Sequence, residues 1–100
     1  MKRLVIYRAM SPGEARASLH GWAWAKRKKW FSDNPNWIRE RVMGGRFNNS
    51  HFQPERYSVM MAFEVEPLQE GVLKRVSANE LSLEREKARY LRVYSRQVVR

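Results

Sequence analysis

The sequence predicts an α+β domain with a mostly antiparallel sheet and two short helices in its N-terminal half. Three observations support this fold class. Strand-like apolar segments lie near both ends and in the middle of the chain, two helix-start signals lie in the first 40 residues, and no helical periodicity separates the later strands. With 100 residues, the chain is expected to form a single domain over 1–100.

The N-terminal segment predicts a strand followed directly by a helix. The strand is expected within 3–10, where the apolar run at 4–7 is rich in β-branched and aromatic residues and predicts burial on both faces. Ser11, Pro12 and Glu14 supply an N-cap, a first-turn proline and a capping-box glutamate, so a helix is expected to begin there. The apolar stripe of this helix would consist of Ala15, Leu19 and Trp22.

A second strand and helix are predicted between residues 30 and 44. Residues 30–32 form a short strand candidate, and Asn34 followed by Pro35 signals another helix start. Gly44 and its neighbouring glycine end that helix, and the polar residues 46–55 then predict an exposed loop.

The second half of the chain predicts mainly strands. Residues 57–66 alternate with a period of two and one apolar face, and 72–76 is a shorter candidate. Ser77 and Glu80 have the spacing of a second capping box. The segment 90–99 alternates again, with Leu91, Val93 and Val99 on one side and an aromatic and cationic mixture on the other: Tyr90, Arg92, Tyr94, Arg96 and Val98.

The charge balance predicts a polyanionic partner. Twenty Lys and Arg residues face ten Asp and Glu residues, for a formal net charge of +10. Residues 1–31 hold eight basic and one acidic residue, and 81–100 hold six and two, whereas 32–80 are nearly neutral. Such a chain suits nucleic acid, a phosphate-bearing cofactor or an acidic protein, or it is simply a basic domain with a well-solvated surface.

The composition excludes several kinds of site. Cysteine is absent, so thiolate catalysis and Cys-ligated metals are excluded. His20 and His51 are the only histidines, without acidic residues at ligand spacing, so no metal is expected. No G-x-S-x-G elbow or glycine-rich phosphate loop occurs. No apolar run is long enough to cross a membrane, and we expect a cytoplasmic protein without a membrane partner.

The cationic run 26–29 lies between tryptophans, which indicates base stacking beside phosphate contacts. The opposing interpretation places the rings in the core, and we expect this for Trp22, Trp30 and Trp37, whereas Trp24 fits either. The nucleic-acid candidates are Lys26, Arg27, Lys28, Lys29, Arg46, His51, Arg92 and Tyr94.

Three further charged residues are candidates for a catalytic or binding site. Arg8 ends an apolar strand, where a permanent cation needs either an anionic ligand or an internal glutamate. Glu84 and Glu86 share a face if their segment is extended, just before the last predicted strand. The simpler interpretation of this pair is surface charge.

In order along the chain, these residues resemble the ADP-ribosyltransferase family. In that family the first core strand ends in an arginine, often as Tyr-Arg, here Tyr7-Arg8. A second strand carries a serine behind an aromatic residue, here Phe31-Ser32, and is followed by a helix, here 35–43.

The later part of the chain continues the resemblance. A strand with Val and Phe that ends in Pro is matched by 59–67, and a catalytic glutamate, sometimes in a Glu-x-Glu pattern, is matched by Glu84 and Glu86. The resemblance implies that Glu86 stabilises the oxocarbenium-like centre and that Glu84 activates the acceptor.

The resemblance also implies the cofactor and its contacts. Arg8 would bind the NAD pyrophosphate or ribose, Ser32 would position the nicotinamide-side ribose, and Trp37 or Phe47 would stack on the nicotinamide. The implied function is NAD-dependent ADP-ribosyl transfer to a macromolecular target.

Two other functions remain open. A small basic nucleic-acid-binding protein or metal-independent ribonuclease toxin would use His51, Arg46, Arg92 and Tyr94. An inhibitor of an acidic host protein also fits the small size and the charge.

Overall fold

The computed structural model describes residues 3–20, 29–44 and 57–99. Within these ranges it contains six strands and two α-helices, with 3₁₀ turns at Ser18–His20 and Arg85–Lys87. This confirms the α+β class and the two N-terminal helices. The elements are β1 (Leu4–Met10), α1 (Pro12–Ala17), β2 (Lys29–Phe31), α2 (Pro35–Met43), β3 (Val59–Pro67), β4 (Leu73–Arg75), β5 (Leu81–Leu83) and β6 (Ala88–Val98).

The strands form two antiparallel three-stranded sheets. The first has the order β1-β3-β6 and the second the order β2-β5-β4. One isolated bridge joins them, because the backbone N–H groups of Tyr7 and Ser32 each donate to the other residue's carbonyl at 2.8 Å. The end of β2 therefore lies directly beside β1.

Helix α1 begins as predicted but is shorter than its apolar stripe implied. The Ser11 hydroxyl accepts a hydrogen bond from the Glu14 N–H at 3.2 Å, and Pro12 opens the first turn. The helix ends at Ala17 and continues as a 3₁₀ turn, which rotates the following side chains away from the helical period. Leu19 is consequently exposed, which contradicts its prediction as a core residue, and Trp22 lies outside the described residues.

Helix α2 has the predicted bounds. The Asn34 carboxamide oxygen caps its first turn, Pro35 is its first residue and Gly44 its C-cap. Its buried face consists of Ile38 and Val42.

Strand β3 is central and buried on both faces, which corrects the prediction of a single apolar face. One face contributes Phe63 to the main core. The other contributes Met60 to a second cluster with Ala9 and helix α2. Because β3 lies between β1 and β6 and an apolar cluster packs on each of its faces, water is excluded from both faces. Ala62 is fully buried for this reason.

Strand β6 does not alternate simply, so the predicted division of its two faces is wrong. The register with β3 shifts between Ala62 and Phe63 and again between Glu64 and Val65. Each shift adds a residue to β6, as a β-bulge does. Two residues that the sequence placed on opposite faces, Tyr90 and Val93, therefore both pack against the main core.

Strand β5 is an element that the periodicity did not predict. Its three residues are all buried, and a strand of this length is too short to show alternation. The Ser77 and Glu80 spacing does not start a helix as predicted. Instead the backbone N–H of Val76 donates to the Glu80 carbonyl at 2.8 Å, which closes the turn between β4 and β5.

Within the described part of the chain, no helix has the length and apolar character needed to cross a membrane.

Candidate functional site

The two sheets meet where the sequence-predicted residues of β1 and β2 come together. Tyr7 pairs with Ser32, so the Tyr7-Arg8 and Phe31-Ser32 pairs are neighbours. Phe31 also pairs with Leu81 in an antiparallel register, which places Glu80 beside Ser32 when it is continued by one residue. We call Tyr7, Arg8, Ser32 and Glu80 the strand-junction site.

The turn that carries Glu80 is fixed to the start of α2. The Arg75 guanidinium forms an ion pair with Asp33 and donates to the Ala78 carbonyl at 2.9 Å. The Asn34 side-chain amide donates to the Asn79 side-chain oxygen at 3.1 Å. These contacts join the turn after β2 to the turn before β5, which carries Glu80.

Glu80 is half-buried as a residue, and its carboxylate has an exposed local hydrogen-bond donor. The Ser77 hydroxyl donates to its Oε1 at 3.2 Å. Sequence reasoning missed Glu80 as a site residue because only the pairing of β2 with the unpredicted β5 brings it beside Ser32. The spacing of Ser77 and Glu80 stood out in the sequence, but it predicted the start of a helix and not a site residue.

Arg8 is held between β2 and α1. Its Nη1 donates to the Trp30 carbonyl at 2.9 Å, and its Nη2 lies 3.5 Å from the Glu14 carboxylate. Its guanidinium lies 6.0 Å from the centre of the Phe31 ring. The internal glutamate considered from the sequence therefore exists, but 3.5 Å exceeds the 2.7–2.9 Å typical of a charge-assisted hydrogen bond. The side chain remains 16% exposed, so one edge of the fork is accessible.

The Ser32 hydroxyl shapes its own turn. It is buried, accepts from the Asn34 N–H at 2.9 Å and lies 3.4 Å from the Asn34 carbonyl. In this arrangement Ser32 orients the start of α2 and the neighbouring Glu80 turn.

Glu84 and Glu86 lie at the other end of β5. Glu84 lies four positions after Glu80, about 13 Å of extended chain. Residues 85–87 form a 3₁₀ turn, so the two glutamates do not share the face of an extended strand as predicted. Glu84 pairs with Lys87 at 3.4 Å, and Glu86 is exposed.

Arg85 lies between these two glutamates, was not predicted as a core residue, and is fully buried. This burial lowers the pKa of its guanidinium, Glu86 raises it and Arg8 lowers it further.

Trp37 lies on α2 in the second cluster, half-buried, with the Arg41 guanidinium 4.8 Å from its ring centre. The two side chains line an open groove of about 400 Å³ together with Glu40 and Gly44. Trp30, by contrast, is 51% exposed, which contradicts the prediction that it is a core residue. β2 is only three residues long and its Phe31 faces the core, so Trp30 points to solvent.

Several predicted candidates lie outside the described residues: Lys26, Arg27, Lys28, Arg46, Phe47 and His51. Lys29 begins β2. Arg92 and Tyr94 are both exposed on β6, away from the strand-junction site.

The chain matches no family model, no curated protein sequence and no solved structure at a significant level. Among the described residues there is also no group of three or more His, Cys, Asp or Glu side chains that could hold a metal ion.

Proposed function

We propose that this protein transfers ADP-ribose from NAD to a macromolecular acceptor. The observation that carries the proposal is the backbone bridge between Tyr7 and Ser32, which the register of β2 with β5, continued by one residue, extends to Glu80. Arg8 follows Tyr7 directly, so its side chain points to the opposite face of β1, where the guanidinium lies 6.0 Å from the centre of the Phe31 ring. The resemblance of Tyr7-Arg8 and Phe31-Ser32 to the transferase family supports the same function.

The residues present fit a dinucleotide donor at one decisive point. The Nε atom of Arg8 is buried and has no hydrogen-bond partner among the described residues. Its Nη2 contact with Glu14 is loose. A pyrophosphate oxygen would bind the 16% of this side chain that remains exposed, not the buried Nε atom, and would replace the loose contact with Glu14 by a short charge-assisted bond.

Bound NAD supplies a cationic nicotinamide leaving group on the ribose. In the transfer, the glycosidic C–N bond breaks with its electron pair going to nicotinamide, and the ribose carbon bonds to an acceptor oxygen or nitrogen. The Glu80 carboxylate stabilises positive charge at that carbon and takes the acceptor's proton. The Ser77 hydroxyl donates to this carboxylate, and the hydrogen bond from Asn34 to Asn79 fixes the turn that carries it.

We infer that Glu80 performs this role rather than Glu84 or Glu86, because Glu80 lies beside Ser32. The sequence-based assignment to Glu86, with Glu84 activating the acceptor, remains a prediction. One assay distinguishes the two.

The test is nicotinamide release from NAD by the purified protein, with cell lysate as the source of acceptor. We expect turnover by the parent protein and a loss of at least about a hundredfold in Glu80→Gln, in line with removal of a transition-state contact. Glu86→Gln, an isosteric change in an exposed carboxylate, is the matched control and should retain turnover.

The outcomes separate cleanly. Loss in Glu86→Gln with retention in Glu80→Gln would transfer the catalytic role to the segment after β5. Absence of nicotinamide release from every form, with folded protein verified by circular dichroism, would overturn the transferase function.

A further inference from the structure

We propose that the outer surface of β6 binds single-stranded nucleic acid. This surface, which we call the β6 surface, runs along the exposed edge of the strand: the register with β3 places Arg89 and Arg92 on one face of the sheet and Arg96 on the other, with the bulge residue Tyr94 between them. Strand β3 separates this surface from Tyr7 and Arg8 on β1, and Ser32 and Glu80 lie with the second sheet, so the two sites share no residue. The inference is therefore independent of the proposed transferase activity.

The position of β6 leaves it accessible. Among the described strands β6 has a neighbour only on the β3 side, so it is an edge strand of its sheet. From residue 94 to residue 98 all of its side chains are exposed. Natural proteins protect such edges with charge, cover them or use them for binding.

The charge of this surface is cationic although two of its arginines form ion pairs. Arg92 contacts Glu64 at 2.9 Å, and Arg89 contacts Glu66 at 3.8 Å. The two arginine side chains are 60% and 67% exposed, whereas the glutamates are only 18% and 19% exposed. The carboxylates therefore lie beneath the guanidinium groups, and β6 itself contains no acidic residue.

The aromatic residue on this surface favours nucleic acid over an acidic protein. Tyr94 is 51% exposed, and the Arg92 guanidinium lies 5.3 Å from its ring centre. The β-bulge beside Phe63 gives β6 the extra residue Tyr94, which has no directly paired partner on β3. An exposed ring next to a cation can stack on a base while arginines contact phosphates, as single-strand-binding surfaces do.

The dimensions also fit a strand of nucleotides. Residues 89 to 96 span about 23 Å of extended chain, which suits a short site of a few nucleotides. A second copy of the chain is a poorer occupant, because pairing two β6 edges would bring their arginines together.

The test is fluorescence anisotropy with labelled 12-residue oligouridine and oligothymidine at several salt concentrations. We expect binding to both, with log K falling as log salt rises. The double variant Arg92→Gln/Arg96→Gln should lower the slope by about 1.4, as two lost phosphate contacts do on a single strand. Tyr94→Leu should weaken binding at least about fivefold with the slope unchanged.

The matched control is Arg16→Gln/Lys74→Gln, which removes two exposed charges from α1 and β4. It should change affinity less than the β6 double variant. Equal weakening by both double variants would overturn the assignment to β6, as would binding that Tyr94→Leu does not affect. Polyglutamate binding as tight as oligonucleotide binding would instead identify an acidic-protein surface and contradict the proposal. Tighter binding of oligouridine would identify RNA as the ligand, and tighter binding of oligothymidine would identify DNA.

These results are separable from those on transferase activity. The β6 variants should leave nicotinamide release in the absence of acceptor unchanged, and Glu80→Gln should leave oligonucleotide affinity unchanged.

Discussion

At the scale of single residues, buried polar groups decide the local structure. Tyr90 packs beside Phe63, with ring centres 6.1 Å apart, and its hydroxyl donates to the Ser18 carbonyl at 2.8 Å. This bond connects β6 to the turn after α1. Burial raises the pKa of the Tyr90 hydroxyl above its ordinary value, so the folded protein favours the neutral phenol.

The raised pKa of Tyr90 predicts that the protein loses stability at alkaline pH. The unfolded chain releases this proton near pH 10, and the folded protein releases it only at higher pH. The stabilisation is therefore complete below about pH 10 and declines as the pH rises above it toward the folded pKa. We expect urea denaturation to show a smaller pH dependence above pH 10 in Tyr90→Phe than in the parent protein.

At pH 7, Tyr90→Phe should lower the free energy of unfolding by about 1 kcal/mol, because it removes the hydrogen bond from the Tyr90 hydroxyl to the Ser18 carbonyl. Tyr94→Phe is the control, since Tyr94 is exposed. Its free energy of unfolding should match that of the parent protein at pH 7 and should fall to the same extent above pH 10. An equal pH dependence in the two variants would contradict the role of Tyr90.

The sequence identified several residues without indicating what they contact. The position of Arg8 at the end of an apolar strand indicated a partner, and the structure supplies Glu14 and the Trp30 carbonyl. Arg85 could not be recognised as buried, because its neighbours in the sequence are charged and its surroundings come from distant segments. Glu80 was missed for the same reason.

At the scale of elements, local capping signals were predicted well and register was not. Ser11, Asn34 and Gly44 act within a few residues of the backbone groups they satisfy, so their roles follow from the sequence. The bulges of β6 depend on its pairing with β3, and no local signal specifies them. Strand β5 is defined by its neighbours on both sides, since three residues have too weak a pattern of their own.

Asn34 carries a prediction at this scale, because it caps α2 and also binds Asn79. Asn34→Ala removes both contacts and should lower the free energy of unfolding by about 1–2 kcal/mol. Asn34→Asp keeps the oxygen that caps the helix and should lose less. Chemical denaturation measures both, and equal losses would show that the bond to Asn79 and not the cap is what stabilises the fold.

At the scale of the whole molecule, the central strand β3 divides two apolar clusters of unequal size. The main core lies between the two sheets, and α2 covers the smaller cluster. Phe63 is fully buried in the main core, and its ring meets that of Phe31 edge-on with centres 6.2 Å apart. The fold class was predictable because it depends on the order of the elements, whereas the meeting of β1, β2 and β5 depends on how the sheets pair.

The position of Phe63 at the centre of the main core predicts that this residue is essential for the fold. Phe63→Ala should lower the free energy of unfolding by about 3–5 kcal/mol, a large share of the stability of a small domain. Leu68→Ala, at an exposed position, should change it by no more than about 0.5 kcal/mol. Thermal denaturation of the two variants provides the comparison, and similar midpoints would contradict this assignment of the core.

The central claim is that the strand-junction site binds NAD, and calorimetric titration with NAD tests it most directly. We expect a saturable heat of binding for the parent protein and for Glu80→Gln, which keeps the site's shape. Arg8→Gln should bind at least tenfold more weakly, because it lacks the guanidinium that would contact the pyrophosphate. If the folded parent protein binds no NAD, or if Arg8→Gln binds as tightly as the parent, the account of this site is wrong.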